Sequence, residues 1–75
     1  MIDYSPFFQT LKAKNESTYT MINKYNVSSS LINRLRHNQP ISTTTINDLC
    51  KILKCNVSDI LTYIETSDDS NKKLP

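Results

Sequence analysis

Apolar residues recur at intervals of three and four along most of this chain, which is the repeat of one face of an α-helix. The clearest run is Ile46, Leu49, Cys50 and Leu53, at positions i, i+3, i+4 and i+7. No segment alternates apolar and polar residues in the way that a half-buried strand does. The pattern therefore predicts an all-α, compact domain built from five short helices.

Start and stop signals set the predicted helix boundaries. Helices are expected at about 6–14, 19–25, 29–37 and 44–53, with a fifth from about residue 58. The expected N-caps are Ser5, Ser17 or Thr18, Ser28 and Thr43. The chain contains no glycine, so asparagine, which tolerates the left-handed conformation, is expected to end the helices. The asparagines in question are Asn15, Asn26, Asn38 and Asn56.

The inner face of each predicted helix should contribute to one core. Its members are Phe7, Phe8, Leu11, Tyr19, Met21, Ile22, Tyr25, Val27, Ile32, Leu35, Ile46, Leu49, Cys50, Leu53, Ile60, Leu61 and Ile64. The domain is expected to span residues 1–64, and residues 65–75 are predicted to be a flexible tail.

Charge is unevenly distributed, although the net charge is only +2. Between Lys12 and Lys54 there are seven basic residues and two acidic ones. A basic body suits a polyanionic partner, whereas lysines on solvated helix surfaces give the same count without any partner. The apolar runs are far shorter than the ~20 residues of a transmembrane helix, and "MIDYSPFF" lacks the features of a secretory signal. A cytoplasmic protein without membrane contact is expected.

Candidate chemistry for catalysis or metal binding is sparse. The single histidine, His37, lies in a different predicted helix from Cys50 and Cys55, and a zinc site needs about four ligands. Five residues apart on one helix and its end, the two cysteines should point in different directions, which argues against a disulfide. There is no nucleophile–base pair and no glycine-rich loop. An enzyme, a cofactor, a metal and a small-molecule ligand are therefore not expected.

The segment "STYTMINKYNVSSSLINRLRHN" has the spacing of a helix-turn-helix. A short helix ends at Tyr25, Asn26 turns the chain, Val27 points inward and Ser28 caps the next helix. That helix has an apolar inner face and a polar, basic outer face. In such a motif the first residues of the second helix reach base edges in the major groove of DNA.

From Tyr4 to Tyr63 the chain resembles the Cro/phage-repressor type (XRE-type) helix-turn-helix family, whose members are five-helix DNA-binding domains. Besides the motif above, "PISTTTINDLCKILKCNVSDIL" is similar to the family's fourth and fifth helices. Three features depart from the family pattern. Asn26 replaces the turn glycine, and Glu16 stands where an apolar residue commonly precedes the second helix. Leu11 and Arg36 occupy the positions of a common arginine–glutamate pair.

The resemblance implies a set of DNA-contacting residues around the third helix. The predicted base contacts are Ser29, Ser30, Asn33 and Arg34. The predicted phosphate contacts are Thr18, Tyr19, Arg36, His37, Gln39, Thr43 and Thr44. Arginine can bond guanine bidentately and asparagine can do the same to adenine, so the residue types suit the role.

The favoured hypothesis is a sequence-specific, double-stranded DNA-binding transcriptional regulator that acts as a homodimer on an inverted repeat. The fifth helix, with Leu61, Tyr63 and Ile64, is the expected dimer surface. The alternative is a protein–protein interaction module that uses the same fold to bind another regulator. The polar outer face of the third helix argues against the alternative, because the centres of protein interfaces tend to be apolar.

Overall fold

The structure, a computed structural model, describes residues 1–65. Its helices are α1 Ser5–Ala13, α2 Thr18–Asn23, α3 Ser29–Arg36 and α4 Thr43–Leu53. A 3₁₀ turn, Val57–Asp59, follows α4, and two short strands, β1 Ile2–Asp3 and β2 Thr62–Tyr63, lie at the two ends of this part of the chain. The predicted helical fold is confirmed, but the count of five helices is wrong. Apart from Glu65, the predicted flexible tail lies outside the described residues.

Serine side chains cap three of the four helices. The caps are Ser17, Ser28 and Ser42, and each hydroxyl accepts a backbone N–H three residues ahead at 3.1 Å. Two of these were predicted, but at α4 the cap is Ser42, and Thr43 is the first helical residue. Ser5 is also the first residue of its helix rather than the cap. The N-cap is Tyr4, which makes no side-chain cap bond, and the Asp3 carboxylate accepts the Ser5 N–H at 3.2 Å.

Left-handed residues end the helices, as expected for a chain without glycine. Asn15, Asn26 and Asn38 have φ angles of 56°, 62° and 53°, so three of the four predicted stops are confirmed. After α4 the left-handed residue is Lys54, with a φ of 52°, and not Asn56. The strain at Lys54 is compensated by the hydrogen bond that the Cys55 N–H donates to the Cys50 carbonyl, at 3.1 Å.

Within residues 1–65, nine buried side chains form one core between the helices and the 3₁₀ turn. They are Tyr4, Phe7, Leu11, Met21, Ile32, Leu35, Leu49, Leu53 and Ile60. Most predicted inner positions are buried or half-buried, and burial of one such side chain contributes about 1.5–3 kcal/mol. Tyr19 and Ile64 are the exceptions, at 72% and 42% exposed. Within residues 1–65, no helix has the length and apolar character needed to cross a membrane.

The chain after α4 differs most from expectation. Between α4 and residue 65 there is a 3₁₀ turn in place of the expected fifth helix, after which the chain extends and β2 pairs antiparallel with β1. Ile2 lies opposite Tyr63 and Asp3 opposite Thr62. The expectation that the chain lacks strands is therefore wrong. Pairing with the other end of the chain decides the conformation here, and a two-residue strand is too short to show an alternating pattern.

Candidate nucleic-acid interface

The turn between α2 and α3 fixes which face of α3 points outward. Asn26 reverses the chain with a φ of 62°, and the Val27 N–H donates to the Met21 carbonyl at 3.0 Å. Met21 and Leu35 are both fully buried, so the inner faces of the two helices pack on the same core. This arrangement confirms the predicted helix-turn-helix.

The outward face of α3 carries the four predicted base-contacting residues. Ser29, Ser30, Asn33 and Arg34 are all exposed, whereas Ile32 and Leu35 on the opposite face are buried. The Ser30 hydroxyl lies 3.2 Å from that of Ser28. Within residues 1–65 the Arg34 guanidinium has neither a hydrogen-bond partner nor an ion-pair partner. Its N–H donors therefore point to solvent and can bind another molecule.

Arg36 joins the end of α3 to the start of α2. Its Nη2 atom donates to Thr18 Oγ1 at 3.3 Å, so the fold brings together two of the predicted phosphate-contacting side chains. The next residue on α2, Tyr19, is 72% exposed and is therefore accessible to a partner. A cation and a hydroxyl thus lie side by side at the edge of the outward face.

His37 and Gln39 lie at the C-terminal end of α3. His37 Nδ1 donates to the Asn33 carbonyl at 2.9 Å, and Gln39 Nε2 donates to the His37 carbonyl at 3.4 Å. Because a carbonyl can only accept, the neutral His37 ring carries its proton on Nδ1. Both side chains are exposed, but these bonds hold them against the backbone of their own segment.

The start of α4 forms the second wall of a groove beside α3. The groove has a volume of about 340 Å³ and is lined by Ser28, Ser30, Leu31, Arg34, Ile41, Ser42 and Thr45. The predicted Thr43 and Thr44 are exposed on the first turn of α4. Ile41 and Thr45 were not predicted for this surface. Thr45 comes three residues after the cap Ser42, and the two hydroxyls lie 2.9 Å apart. This spacing, similar to that of a capping box, is the sequence signal that places Thr45 beside Ser42.

The C-terminal end of α3 is tied to the start of the chain. Asn38 Oδ1 accepts the Tyr4 N–H at 3.0 Å, and Asn38 Nδ2 donates to Asp3 Oδ1 at 3.3 Å. The hydroxyl of Tyr4, a core residue, donates to the Gln39 carbonyl at 2.9 Å. Hydrogen bonds from Ser5 and then Asn38 hold the pKa of Asp3 below its ordinary value, against an opposing effect of desolvation. These contacts fix the end of α3 to the junction of β1 and α1.

The positions that depart from the family pattern have their own local roles. Leu11 is a core residue of α1, and Glu16 Oε2 accepts a hydrogen bond from Thr20 Oγ1 at 3.2 Å. Arg36 is therefore not paired with a charge on α1, and it contacts Thr18 instead. In the part of the chain that the structure describes, no group of three or more histidine, cysteine and acidic residues could hold a metal ion.

Comparison with known proteins agrees with the helix-turn-helix arrangement of α2 and α3. A family model for the Cro/C1-type HTH DNA-binding domain matches residues 9–66. The crystal structure of the transcriptional regulator VanUg, Form II, has the same fold, with a TM-score of 0.77 and 22% sequence identity over 87% of each chain. No curated protein sequence matches the chain. The chain belongs to the Cro/C1-type helix-turn-helix DNA-binding domain family.

Proposed function

We propose that this protein is a sequence-specific regulator of transcription that inserts α3 into the major groove of double-stranded DNA. The observation that carries the proposal is the outward face of α3, with exposed hydroxyl, amide and guanidinium groups. Such groups match the donors and acceptors that base edges present in the major groove. The description of the family as a DNA-binding domain supports the same function.

Base contacts are assigned to Ser29, Ser30, Asn33 and Arg34. Arg34 can donate two parallel hydrogen bonds to guanine O6 and N7, and Asn33 can bond the N6 and N7 edge of adenine. Ser29 and Ser30 occupy the first turn of α3, which is the part of a recognition helix that contacts bases. Their hydroxyls can donate or accept, so they tolerate several base pairs.

Phosphate contacts are assigned to side chains on both sides of the recognition helix. They are Thr18, Tyr19, Arg36, His37, Gln39, Thr43 and Thr44. The first turns of α2 and α4 add backbone N–H groups and the positive ends of two helix dipoles, both of which favour phosphate. Arg36 and Thr18, which are hydrogen-bonded to each other, can contact one phosphate together.

A homodimer on an inverted repeat is the proposed binding form. The eight residues of α3 can make few base contacts, so specific affinity requires a second copy on a half-site about one helical turn away. The proposed dimer surface contains Leu61, Tyr63 and Ile64, which lie on and beside β2. Tyr63 is 62% exposed and Ile2, which pairs with it, is 44% exposed, so a dimer would cover apolar surface there.

A selection from random duplexes tests the DNA-binding proposal. The purified protein is incubated with the pool at near-physiological salt, and the bound fraction is recovered and sequenced. We expect an inverted repeat with half-sites about ten base pairs apart. If no sequence is enriched and binding disappears at this salt, DNA reading by α3 is excluded and the interaction with another regulator becomes the leading function.

Sedimentation of the protein, alone and on the selected duplex, tests the dimer separately. Two copies per duplex are expected. A protein that stays monomeric at about tens of micromolar, both free and bound to its site, contradicts the homodimer without touching the assignment of α3.

A further inference from the structure

The end of α4 brings Cys50 and Cys55 together. The Cys55 N–H donates to the Cys50 carbonyl at 3.1 Å, and Lys54 reverses the chain with a φ of 52°. In this type of helix ending, the side chains of the two residues joined by the hydrogen bond commonly contact each other. The expectation that the two thiols point in different directions assumed a regular helix through Lys54, whereas the backbone reverses there and Cys55 bonds back to Cys50.

The two cysteines are neighbours at the end of α4, and both are partly open to solvent. The neighbouring Cys50 is one of the groups that raise the pKa of the Cys55 thiol. Both cysteines are free and only half-buried, with their inner sides packed against the core. Cys55 also lines an open groove of about 620 Å³ that Lys14, Lys54 and Asp59 border. Cys55 therefore borders a groove that is open to solvent.

We propose that Cys50 and Cys55 are a redox modification site, which a small anionic disulfide such as oxidised glutathione converts into an intramolecular disulfide. The hydrogen bond between the two backbones is compatible with the Cα separation of about 4.4–6.8 Å that disulfides span. Lys14 and Lys54 outnumber Asp59 around the groove, so its local charge favours an anionic reagent.

The exchange balances without any further reactant. The thiolate of one cysteine attacks a sulfur of the glutathione disulfide, forms a mixed disulfide and releases one glutathione thiolate. The second cysteine thiolate then attacks the protein sulfur of the mixed disulfide and displaces the other glutathione. The two protons lost by the cysteines pass to the two released thiolates. The protein is oxidised by two electrons, and one glutathione disulfide is reduced to two thiols.

The surroundings of Cys55 set the pH at which this exchange is fast. Burial, followed by the neighbouring Cys50 and Asp59, raises the pKa of the Cys55 thiol, and Lys14 opposes the shift. The Cys55 thiolate is therefore scarce at neutral pH, and its attack on the glutathione disulfide should become faster as the pH rises.

Mass spectrometry of the intact full-length protein tests the proposal. The reduced protein is incubated with oxidised glutathione in mildly alkaline buffer, and free thiols are then alkylated. Wild-type protein should lose two hydrogens, form no disulfide-linked dimer and take up no alkylating agent. Cys50→Ser and Cys55→Ser are the matched controls, and each should retain one glutathione, because the second thiol is missing. Trypsin cleaves after Lys51 and Lys54, so the disulfide should join two peptides that separate on reduction.

A comparison with the unfolded chain shows whether the fold favours the bond. In glutathione redox buffers, the native protein should form the disulfide at a ratio of oxidised to reduced glutathione about tenfold lower than the urea-unfolded protein. Equal glutathione ratios for the native and the unfolded protein would overturn the proposal. Wild-type protein that accumulates two bound glutathiones, or disulfide-linked dimers, would also overturn it. The site lies at the opposite end of α4 from Ser42, so this result is independent of DNA binding.

Discussion

The inner and outward faces of α3 are held in contrasting ways. At the C-terminal end, Leu35 is buried and the Asn38 side chain makes hydrogen bonds to Tyr4 and Asp3. On the outward face, Asn33 and Arg34 are exposed. The contrast indicates that the residues of α3 have two separate roles. The inner and C-terminal residues stabilise the fold, and the outward residues are available for a partner. Substitutions at the two places should therefore affect different measurements.

The largest expected effect is at Leu35. Leu35→Ala removes a side chain that is 1% exposed and leaves a cavity, so it should lower the free energy of unfolding by about 2–5 kcal/mol. Its neighbour Arg34 provides the matched control, because Arg34→Ala on the exposed face should stay within about 0.5 kcal/mol of wild type. Urea denaturation measures both. Equal losses in the two variants would contradict the division between the two faces.

The next effect is at Asn38, which combines a left-handed backbone with side-chain hydrogen bonds. Asn38→Gly keeps the backbone conformation but leaves the Tyr4 N–H without its partner, at a cost of about 1–3 kcal/mol. Asn38→Ala loses the hydrogen bonds and also disfavours the left-handed backbone, so it should be less stable than the glycine variant by about a further 1–2 kcal/mol. Thermal or urea unfolding of the pair separates the two contributions. Identical stabilities would show that the left-handed conformation carries no cost here.

Arg34 and Arg36 should differ in how they affect DNA binding. Arg34→Ala should cost about 1–3 kcal/mol on the selected site and relax the preference at one base pair. Arg36→Ala should weaken binding to all sequences similarly and reduce the salt dependence by about one phosphate contact. Binding titrations at several salt concentrations, on the selected and a scrambled duplex, measure both. Wild-type affinity of Arg34→Ala for the selected site would refute its role in base reading.

The smallest effect is at Asp3, which belongs to the anchored end. Its pKa lies below the ordinary value of 3.8, so the ionised carboxylate stabilises the fold. That stabilisation should be complete above the ordinary pKa and be lost as the pH falls through the lowered one. Asp3→Asn removes the titration, so the difference in melting temperature from wild type should shrink in acid. A difference that stays constant down to low pH would contradict this role.

The helix-turn-helix could be predicted from sequence because its determinants are local. Ser28 as a cap, Asn26 in the turn and the burial of Leu35 each follow from the spacing of residues within a few positions. The same is true of the exposed face of α3, since the burial of Ile32 and Leu35 fixes the opposite side. Whether that face reads bases as assigned stays a prediction.

The rest of the fold depends on contacts between distant parts of the chain. The strand at Thr62–Tyr63 pairs with Ile2–Asp3, and no local sequence pattern predicts that pairing. The bonds from Asn38 to the start of the chain are of the same kind. Lys54 shows a different limit: propensity favours Asn56 for the left-handed position, but the reversal occurs two residues earlier, where Cys55 bonds back to Cys50.

The outward side chains of α3 make few hydrogen bonds within the fold, and this affects how easily the DNA sequence that α3 is proposed to recognise can change in evolution. Asn33 and Arg34 can be exchanged for other polar residues with little loss of stability, because their exposed side chains make no hydrogen bond or ion pair within residues 1–65. Duplicated copies could then drift toward new target sequences one substitution at a time and remain folded throughout. A designer could use the same freedom, randomising the outward positions of α3 on an otherwise unchanged scaffold.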